Sequence, residues 1–328
     1  MFFFENFTLS NILIAVVVLL GLIGVNEFTR RNKWISIGTY IIMPILLAIF
    51  VWPKTAIRGD GDWFPIVKTL SALAGVIGFM AIRYIEKLQT KKWVLIFPVA
   101  ILVINILEAI GRDIEIYMSY NGQKVWSDIE SLMMQGGPWN IINAIAGVLL
   151  IITLTGWFGI KISKDKSRDM VWVDQLWFWI IAYDLWNMAY VYNCISTRAM
   201  YAGFLLLISC TVCEFVFKRG VWLQHRAQTL ALWGMFSVTF SSYSSSPLFS
   251  ITSTYNVAPL YFWSILALVS NVAVLIYEIM VVYKTKRNPL KDDIYCDLKA
   301  YKRNLEENGL LIKASVKKSS MKKAAMKK

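Results

Sequence analysis

Two carboxylates and two amides interrupt stretches of sequence that are otherwise almost wholly apolar. Asn105 and Glu108 are three residues apart in one stretch, and Asp184 and Asn187 have the same spacing in another. Residues with this spacing lie on one face of a helix. An ionisable group near the centre of a bilayer costs at least about 2.5–3.5 kcal/mol, so it usually faces a partner or a water-filled cavity. The four side chains therefore predict a polar pocket at membrane depth.

Aromatic residues surround the second pair and would suit a cationic solute. Ring faces attract a cation by roughly 0.5–2 kcal/mol, while the carboxylates supply negative charge. Arg112 follows Glu108 by four residues and can reach back to it, and Lys68 is another possible partner for the acids. The predicted solute-binding residues are Asn105, Glu108, Arg112, Tyr183, Asp184, Trp186, Asn187 and Tyr190.

The same residues also fit an interpretation without a solute. Asp184 would then hydrogen-bond a neighbouring helix, and Arg112 would simply neutralise Glu108. Trp186 would be a packing residue or an anchor at the membrane interface. The choice between the two interpretations depends on whether the two apolar stretches touch, and spacing along the chain does not determine that.

The sequence contains few residues suited to metal binding, catalysis or redox chemistry. His225 is the only histidine, so a histidine-based metal site or a catalytic triad is not expected. Cys210 and Cys213 have the spacing of a redox pair, but inside a lipid-embedded helix this spacing is more typical of packing. We therefore predict no enzymatic activity, no cofactor and no metal.

The elements that would position the pocket are apolar helices. Of the 328 residues, 57% are hydrophobic and 17% are charged, and the mean hydropathy is +0.53. About 20 apolar residues suffice to cross the hydrocarbon core of a bilayer. The composition predicts an all-α transmembrane bundle in residues 1–283. Its nine spans are predicted at 9–28, 34–53, 64–85, 93–111, 138–160, 171–193, 199–217, 226–245 and 258–283.

Lysine and arginine are concentrated on alternate loops, and this alternation predicts the orientation. The loops assigned to the outside carry only Lys54, Arg58, Arg112, Lys124 and Arg198. Because basic residues favour the cytoplasmic side, we predict an external N-terminus and a cytoplasmic C-terminus. The external loop 112–137 is predicted to carry an amphipathic helix. The apolar residues with helical spacing there are Val125, Trp126, Ile129, Leu132 and Met133.

The segment 284–328 is predicted to be a basic cytoplasmic tail in two parts. An apolar stripe predicts an amphipathic helix in the first part. Its residues are Leu290, Ile294, Leu298, Tyr301 and Leu305. The lysines beyond it predict a disordered extension held by the anionic lipid head groups of the bilayer. With the basic loops, this tail accounts for the net charge of +13, so no nucleic-acid partner is predicted.

The segments Asn26–Arg31 and Val51–Lys54, with Trp186, Asn187 and Tyr190, resemble an uncharacterised bacterial family of multi-pass membrane proteins. The resemblance implies a location in the bacterial inner membrane and no known activity. Together with the pocket, the sequence predicts a transporter or channel for a small cationic or polar solute. Two alternatives stay open, namely a receptor or scaffold that acts through its tail, and an intramembrane enzyme acting on a lipid.

Overall fold

The structure is a computed structural model that describes residues 2–56, 64–127 and 132–311. The helices are, in chain order, α1 (Leu9–Arg31), α2 (Lys33–Phe50), α3 (Phe64–Tyr84), α4 (Lys92–Tyr120), α5 (Pro138–Ile152), α6 (Trp177–Cys194), α7 (Ser196–Phe217), α8 (Trp222–Thr239), α9 (Val257–Thr285) and α10 (Lys299–Glu307). Short antiparallel strand pairs accompany them. They are β1 (Phe4–Glu5) with β6 (Thr252–Ser253), β2 (Lys124–Ser127) with β3 (Leu132–Gln135), and β4 (Ile160–Ile162) with β5 (Met170–Trp172). Single helical turns lie at Trp52–Thr55, Glu86–Gln89, Tyr243–Ser245 and Pro247–Phe249.

Within the described ranges, six helices are long and apolar enough to cross a membrane, namely α1, α2, α3, α4, α7 and α9. The helical membrane protein predicted from composition is confirmed to this extent, although six clear candidates are fewer than the nine spans predicted. α5 is apolar but has only 15 residues. α6 and α8 have 18 residues each, and most of their side chains are buried inside the bundle.

Local sequence signals explain where several helices begin. α1 starts after Thr8, whose hydroxyl accepts the N–H of Asn11. α2 starts after Asn32, whose side-chain oxygen accepts two backbone N–H groups of the first turn. Both side chains satisfy donors that a helix start leaves without an internal acceptor. α5 begins with Pro138, a residue that lacks an N–H and suits the first turn.

Two of the helices contain π-helical turns. α2 has one at Gly38–Ile42, and α7 has two, at Ala199–Leu205 and Cys213–Phe217. A π turn widens the helix by one residue, and such turns are frequent at functional sites. α7 is therefore an irregular helix along much of its length.

Strand pairs and hydrogen bonds hold the loops at the two ends of the bundle. At one end β1 pairs with β6, and the Tyr192 hydroxyl near the end of α6 donates to the carbonyl of Phe3 at 2.6 Å. We call this the β1/β6 end. At the opposite end α10 packs near the β4–β5 hairpin, and we call it the tail end. Residues 153–176 at the tail end, partly assigned to two spans, contain this hairpin instead of continuing α5 and α6.

The prediction of an amphipathic helix within 112–137 is wrong for the described residues of that segment, outside which Ile129 lies. α4 continues to Tyr120, and the chain then forms the β2–β3 hairpin, in which Val125 is opposite Met134 and Trp126 opposite Met133. Short runs of apolar residues fit both the helical and the strand period. Pairing the strands buries Met134 completely, against the core that includes Ile116 of α4.

The first part of the tail is ordered and folded back on the bundle. Its helix, α10, is shorter than the apolar stripe suggested, because the residues between α9 and α10 form turns. Ile294, Tyr295 and Tyr301 are buried in one apolar cluster with Val171 and Val221. The lysines from Lys313 onward lie outside the described residues, so their contact with lipid head groups stays a prediction.

Candidate functional site

A cavity of about 120 Å³ lies among α3, α4, α6, α7 and α8. A water molecule needs roughly 10–15 Å³ of such space, so the cavity has room for several waters or one small solute. Its polar lining includes the charged and amide residues Lys68, Asn105, Asn187, Arg198 and Arg226, with the hydroxyls of Thr69 and Ser237. Its aromatic lining comes from Tyr183, Tyr190, Trp233 and Tyr243.

Four of the residues predicted from the sequence meet at this cavity. Asn105 comes from α4, and Tyr183, Asn187 and Tyr190 come from α6. Their spacing along α6 places them on one side of that helix, which packs against α4. The structure therefore brings the two predicted stretches together around a space that a solute can occupy.

Glu108 lies beside this site but is already paired. The Lys68 ammonium of α3 donates to a Glu108 carboxylate oxygen at 2.6 Å and to the Asn105 side-chain oxygen at 2.8 Å. Both partners of the ion pair are partly exposed. Arg112, predicted to neutralise Glu108, instead pairs with Glu115 at 2.9 Å, one turn closer to the end of α4. The Glu108 carboxylate is thus neutralised from another helix.

Asp184 and Trp186 are not among the residues that line the cavity. Asp184 accepts a hydrogen bond of 2.6 Å from the Thr211 hydroxyl of α7. The Trp186 indole donates to the carbonyl of Asn143 in α5 at 3.1 Å, and its ring is fully buried. Gly147 makes room for it, because a Cβ there would lie 2.8 Å from the indole nitrogen. For these two residues the packing interpretation describes the structure better.

Arg226 is one of the site residues that the sequence did not indicate, with Arg198, Trp233 and Tyr243. The predicted span starts at residue 226, but α8 already begins at Trp222, so Arg226 lies inside the helix and is only 6% exposed. One nitrogen, Nη2, donates to the Asn187 side-chain oxygen at 3.3 Å. The guanidinium also lies 6.0 Å from the centre of the Tyr183 ring. Nε and Nη1 have no hydrogen-bond partner.

The lining of the cavity is positive. Lys68, Arg198 and Arg226 are its charged members, and no carboxylate is among the described lining residues. Glu108 balances Lys68 from just beyond the lining. Arg198 has one nitrogen, Nε, without a partner. The two arginines therefore dominate the charge that a solute in the cavity would meet.

A second cavity of about 40 Å³ adjoins the first on the side of α3 and α4. The two share Asn105, Tyr183, Arg226 and Leu230 in their walls. The lining of the smaller cavity is otherwise mostly apolar and includes Gly75 and Phe79. Arg226 thus lies where the two spaces adjoin.

A buried ionic cluster fills the bundle at the tail end, and we define it by Glu27, Arg30, Arg83 and Asp169. Arg30 donates twice to Glu27, at 2.9 and 2.7 Å, and once to Asp169 at 2.7 Å. Arg83 pairs with Asp169 at 3.5 Å and donates to backbone carbonyls through Nε and Nη2. The cluster ties α1 and α3 to the loop before β5.

Glu27, Cys213 and His225 are close enough to hold a metal ion, since their ligand atoms lie within 4.8 Å of one another. The surroundings do not suit a cation. Both Glu27 oxygens accept from Arg30, and Arg31 pairs with Glu27 at 2.9 Å. The His225 Nδ1 lies 2.9 Å from the Asn26 amide. Two arginines would repel a bound metal ion, so we assign no metal site here.

Fold and cavity together define a helical membrane protein with an internal polar site. The chain belongs to a family of unknown function (DUF5692), whose sequence model matches residues 5–307. No curated protein and no solved structure matched the chain. Membership of an uncharacterised family, predicted from the sequence, is confirmed.

Proposed function

We propose that this protein is a transporter or channel that moves a small polar solute across the bacterial inner membrane, and that the solute binds in the cavity lined by Asn105, Tyr183, Asn187 and Tyr190. The observation that carries the proposal is a polar, positively charged cavity inside a bundle of apolar helices. Polar groups at membrane depth are costly unless a partner or water reaches them. A cavity that admits a solute provides such a partner.

The proposal includes the orientation and the span count predicted from the basic loops. α5, α6 and α8 would cross the membrane with the six longer helices, with the N-terminus outside and the C-terminus in the cytoplasm. Pro65, Arg198 and Tyr243, which line the cavity, lie at or near helix ends on the side of the β1/β6 end. The ionic cluster packs the tail end. This arrangement supports a state that is more open toward the outside.

The carboxylates have a smaller part in this proposal than the sequence predicted. Glu108 is engaged by Lys68, and Asp184 by Thr211. We therefore propose that the amides, tyrosines and basic residues contact the solute. Glu108 would act through Lys68, by holding its ammonium against the wall of the cavity.

The alternative function, a receptor or scaffold that acts through the tail, has less support. A docking helix needs a free apolar face. The apolar residues of the tail, including Ile294 and Tyr301, are already buried against the protein itself. An intramembrane enzyme would need a reactive group at the cavity, and the described lining offers no carboxylate, histidine or cysteine.

The proposal is tested with purified protein in liposomes. Solute-induced currents and osmotic swelling would be measured for a panel of amino acids, organic acids, amines and sugars, so that charged and neutral solutes are both detected. At least one solute should move faster than in protein-free liposomes. Asn187→Ala should slow it about tenfold, because losing a buried hydrogen-bond partner costs about 1–3 kcal/mol.

Asn121→Ala is the matched control, because the Asn121 side chain is exposed in the turn after α4. It should transport like the unmodified protein. The proposal is contradicted if the folded protein moves no member of the panel above the rate of protein-free liposomes, or if both asparagine variants behave alike.

A further inference from the structure

We infer that the solute is a small carboxylate with an apolar or aromatic body, and that the Arg226 guanidinium binds its carboxylate group. This inference rests on the proposed function, since it names the class of solute for the same cavity. It reverses the sign of the charge predicted from the sequence, where intramembrane carboxylates suggested a cation.

The Arg226 guanidinium is incompletely paired. A guanidinium has five N–H donors, and the structure shows one hydrogen bond, from Nη2 to Asn187. Nε and Nη1, which together carry three of the five N–H groups, have no partner. No described carboxylate forms an ion pair with Arg226, and Asp184 of the adjacent helix is bonded to Thr211. Asp184 attracts the guanidinium electrostatically but makes no direct ion pair with it, and buried N–H donors that are left without acceptors are costly.

These free donors belong to a residue of the cavity wall. Arg226 is nine-tenths buried and lines the space directly. A carboxylate placed there would accept charge-assisted hydrogen bonds, which are about twice as strong as neutral ones. A cation would instead meet the guanidinium at close range. Arg198, with its own free Nε, adds a second positive group to the same wall.

The remaining wall of the cavity indicates the chemistry of the rest of the solute. Beside its polar groups, the cavity is lined by apolar and aromatic side chains, among them Tyr190, Leu206, Leu230, Trp233 and Tyr243. Such a lining suits a hydrocarbon or ring next to the carboxylate. Inorganic phosphate has no apolar body to contact these side chains, and part of its highly hydrated surface would face apolar groups. The cavity volume of about 120 Å³ restricts the body to a small one.

Asn187 is a positioning residue in this arrangement. Its side-chain oxygen accepts from Nη2 and so fixes one edge of the guanidinium. The Tyr183 ring lies 6.0 Å from the same group. These contacts hold Arg226 without neutralising it, which leaves the charge available to a ligand.

The test uses the full-length protein in detergent and compares probes of similar shape and different charge. Benzoate, benzamide and benzylamine would be titrated, with acetate and inorganic phosphate as smaller anions. Tryptophan fluorescence and the thermal unfolding temperature would report binding, since Trp233 lines the cavity. We expect benzoate to bind at least about tenfold more tightly than benzamide, as expected for a charge-assisted bond.

Arg226→Gln should remove the preference for benzoate over benzamide, and Arg226→Lys should keep part of it. Arg303→Gln is the control, because this arginine is exposed on α10 far along the chain from the cavity. It should leave all the affinities unchanged. If Arg226→Gln does not fold, the comparison of Arg226→Lys with the unmodified protein still decides, since a shorter point charge should weaken benzoate and leave benzamide unaffected.

The inference is overturned if benzamide or benzylamine binds as tightly as benzoate, if phosphate binds more tightly, or if no anion binds better than its neutral counterpart. It is also overturned if the preference for benzoate survives in Arg226→Gln. Its failure is distinguishable from that of the proposed function. If a neutral or cationic solute is transported and its transport depends on Asn187, the proposed transport function holds and only the assignment of a carboxylate solute fails.

Discussion

The ionic cluster and the cavity bury arginine in opposite ways. In the cluster, each of the three guanidinium nitrogens of Arg30 donates to a carboxylate oxygen of Glu27 or Asp169, at 2.7 to 2.9 Å. In the cavity, Arg226 is buried to a similar degree but has one neutral acceptor, Asn187, and two nitrogens without a partner. Both residues lie in the same bundle and differ mainly in what surrounds them.

This difference separates a structural role from a binding role. Removing one member of a fully paired buried cluster destabilises the fold, because the remaining charge is left uncompensated. A buried charge that is left incomplete beside a cavity contributes little to the fold and is available for a ligand. The comparison therefore predicts effects of different size, and of different sign, for changes in the two regions.

The largest effect should come from Asp169→Asn in the cluster. Arg30 and Arg83 would lose the carboxylate between them, and the free energy of unfolding should fall by about 3–5 kcal/mol. Chemical unfolding in detergent micelles measures this. Glu86→Gln is the control, because Glu86 is exposed and pairs with Arg168 at 3.3 Å, and it should change little. Equal effects of the two variants would break the comparison.

The next effect concerns Asp174, a buried carboxylate with no described ion-pair partner. Burial raises its pKa to about 6, although Thr155 and the N–H groups of Ile294 and Tyr295 donate to it. Because the folded pKa lies above the ordinary value of 3.8, this group stabilises the fold most at low pH. Its contribution is lost as the pH rises toward the folded pKa.

Asp174→Asn should remove that dependence on pH. Between about pH 4.5 and about pH 6.5, the unmodified protein should lose about 2 kcal/mol more unfolding free energy than the variant. The measurement is the unfolding free energy of both proteins across this range. Parallel curves for the two proteins would show that the carboxylate is ionised throughout.

The Lys68–Glu108 pair should contribute less to stability than the ionic cluster and more than Arg226, because both of its side chains are partly exposed at the edge of the cavity. A double-mutant cycle with Lys68→Met and Glu108→Gln should give a coupling energy of about 1 kcal/mol. Glu108→Gln should also strengthen benzoate binding, since it leaves the lysine charge unbalanced. Weaker anion binding in that variant would favour the cation site predicted from the sequence.

The smallest effect on stability should come from Arg226→Gln. Removing an incompletely paired charge should leave the unfolding free energy unchanged or raise it by about 1 kcal/mol. Arg30→Gln is the matched change in the cluster and should lower it clearly. Unfolding of both variants under the same conditions gives the comparison, and similar losses would show that Arg226 is a structural residue like Arg30.

The sequence predicted the parts of this protein that depend on local patterns. Apolar stretches indicated the helices, and the i,i+3 spacing of Asn105 and Glu108 and of Asp184 and Asn187 indicated faces that the structure places at or near one site. The helix boundaries were predicted less accurately than the helices themselves. α8 begins four residues before Arg226, and a basic residue near a predicted end of a helix is normally read as part of a loop.

The other features of the site depend on distances between helices, which the spacing of residues along the chain does not specify. The sequence offered both Arg112 and Lys68 as partners for Glu108, and only the packing of α3 against α4 selects Lys68. The β2–β3 hairpin was missed for a related reason. Its apolar residues fit both the helical and the strand period, and contact with the end of α4 favours the strands.

The docked tail has a practical consequence for crystallography. Shortening the protein after α9 would uncover Val171, Val173 and Val221, which Ile294 and Tyr301 now shield from water. A protein shortened in this way should associate through the uncovered patch. A shortened protein should therefore keep the residues through the end of α10, and solubility tags should not be joined directly after α9.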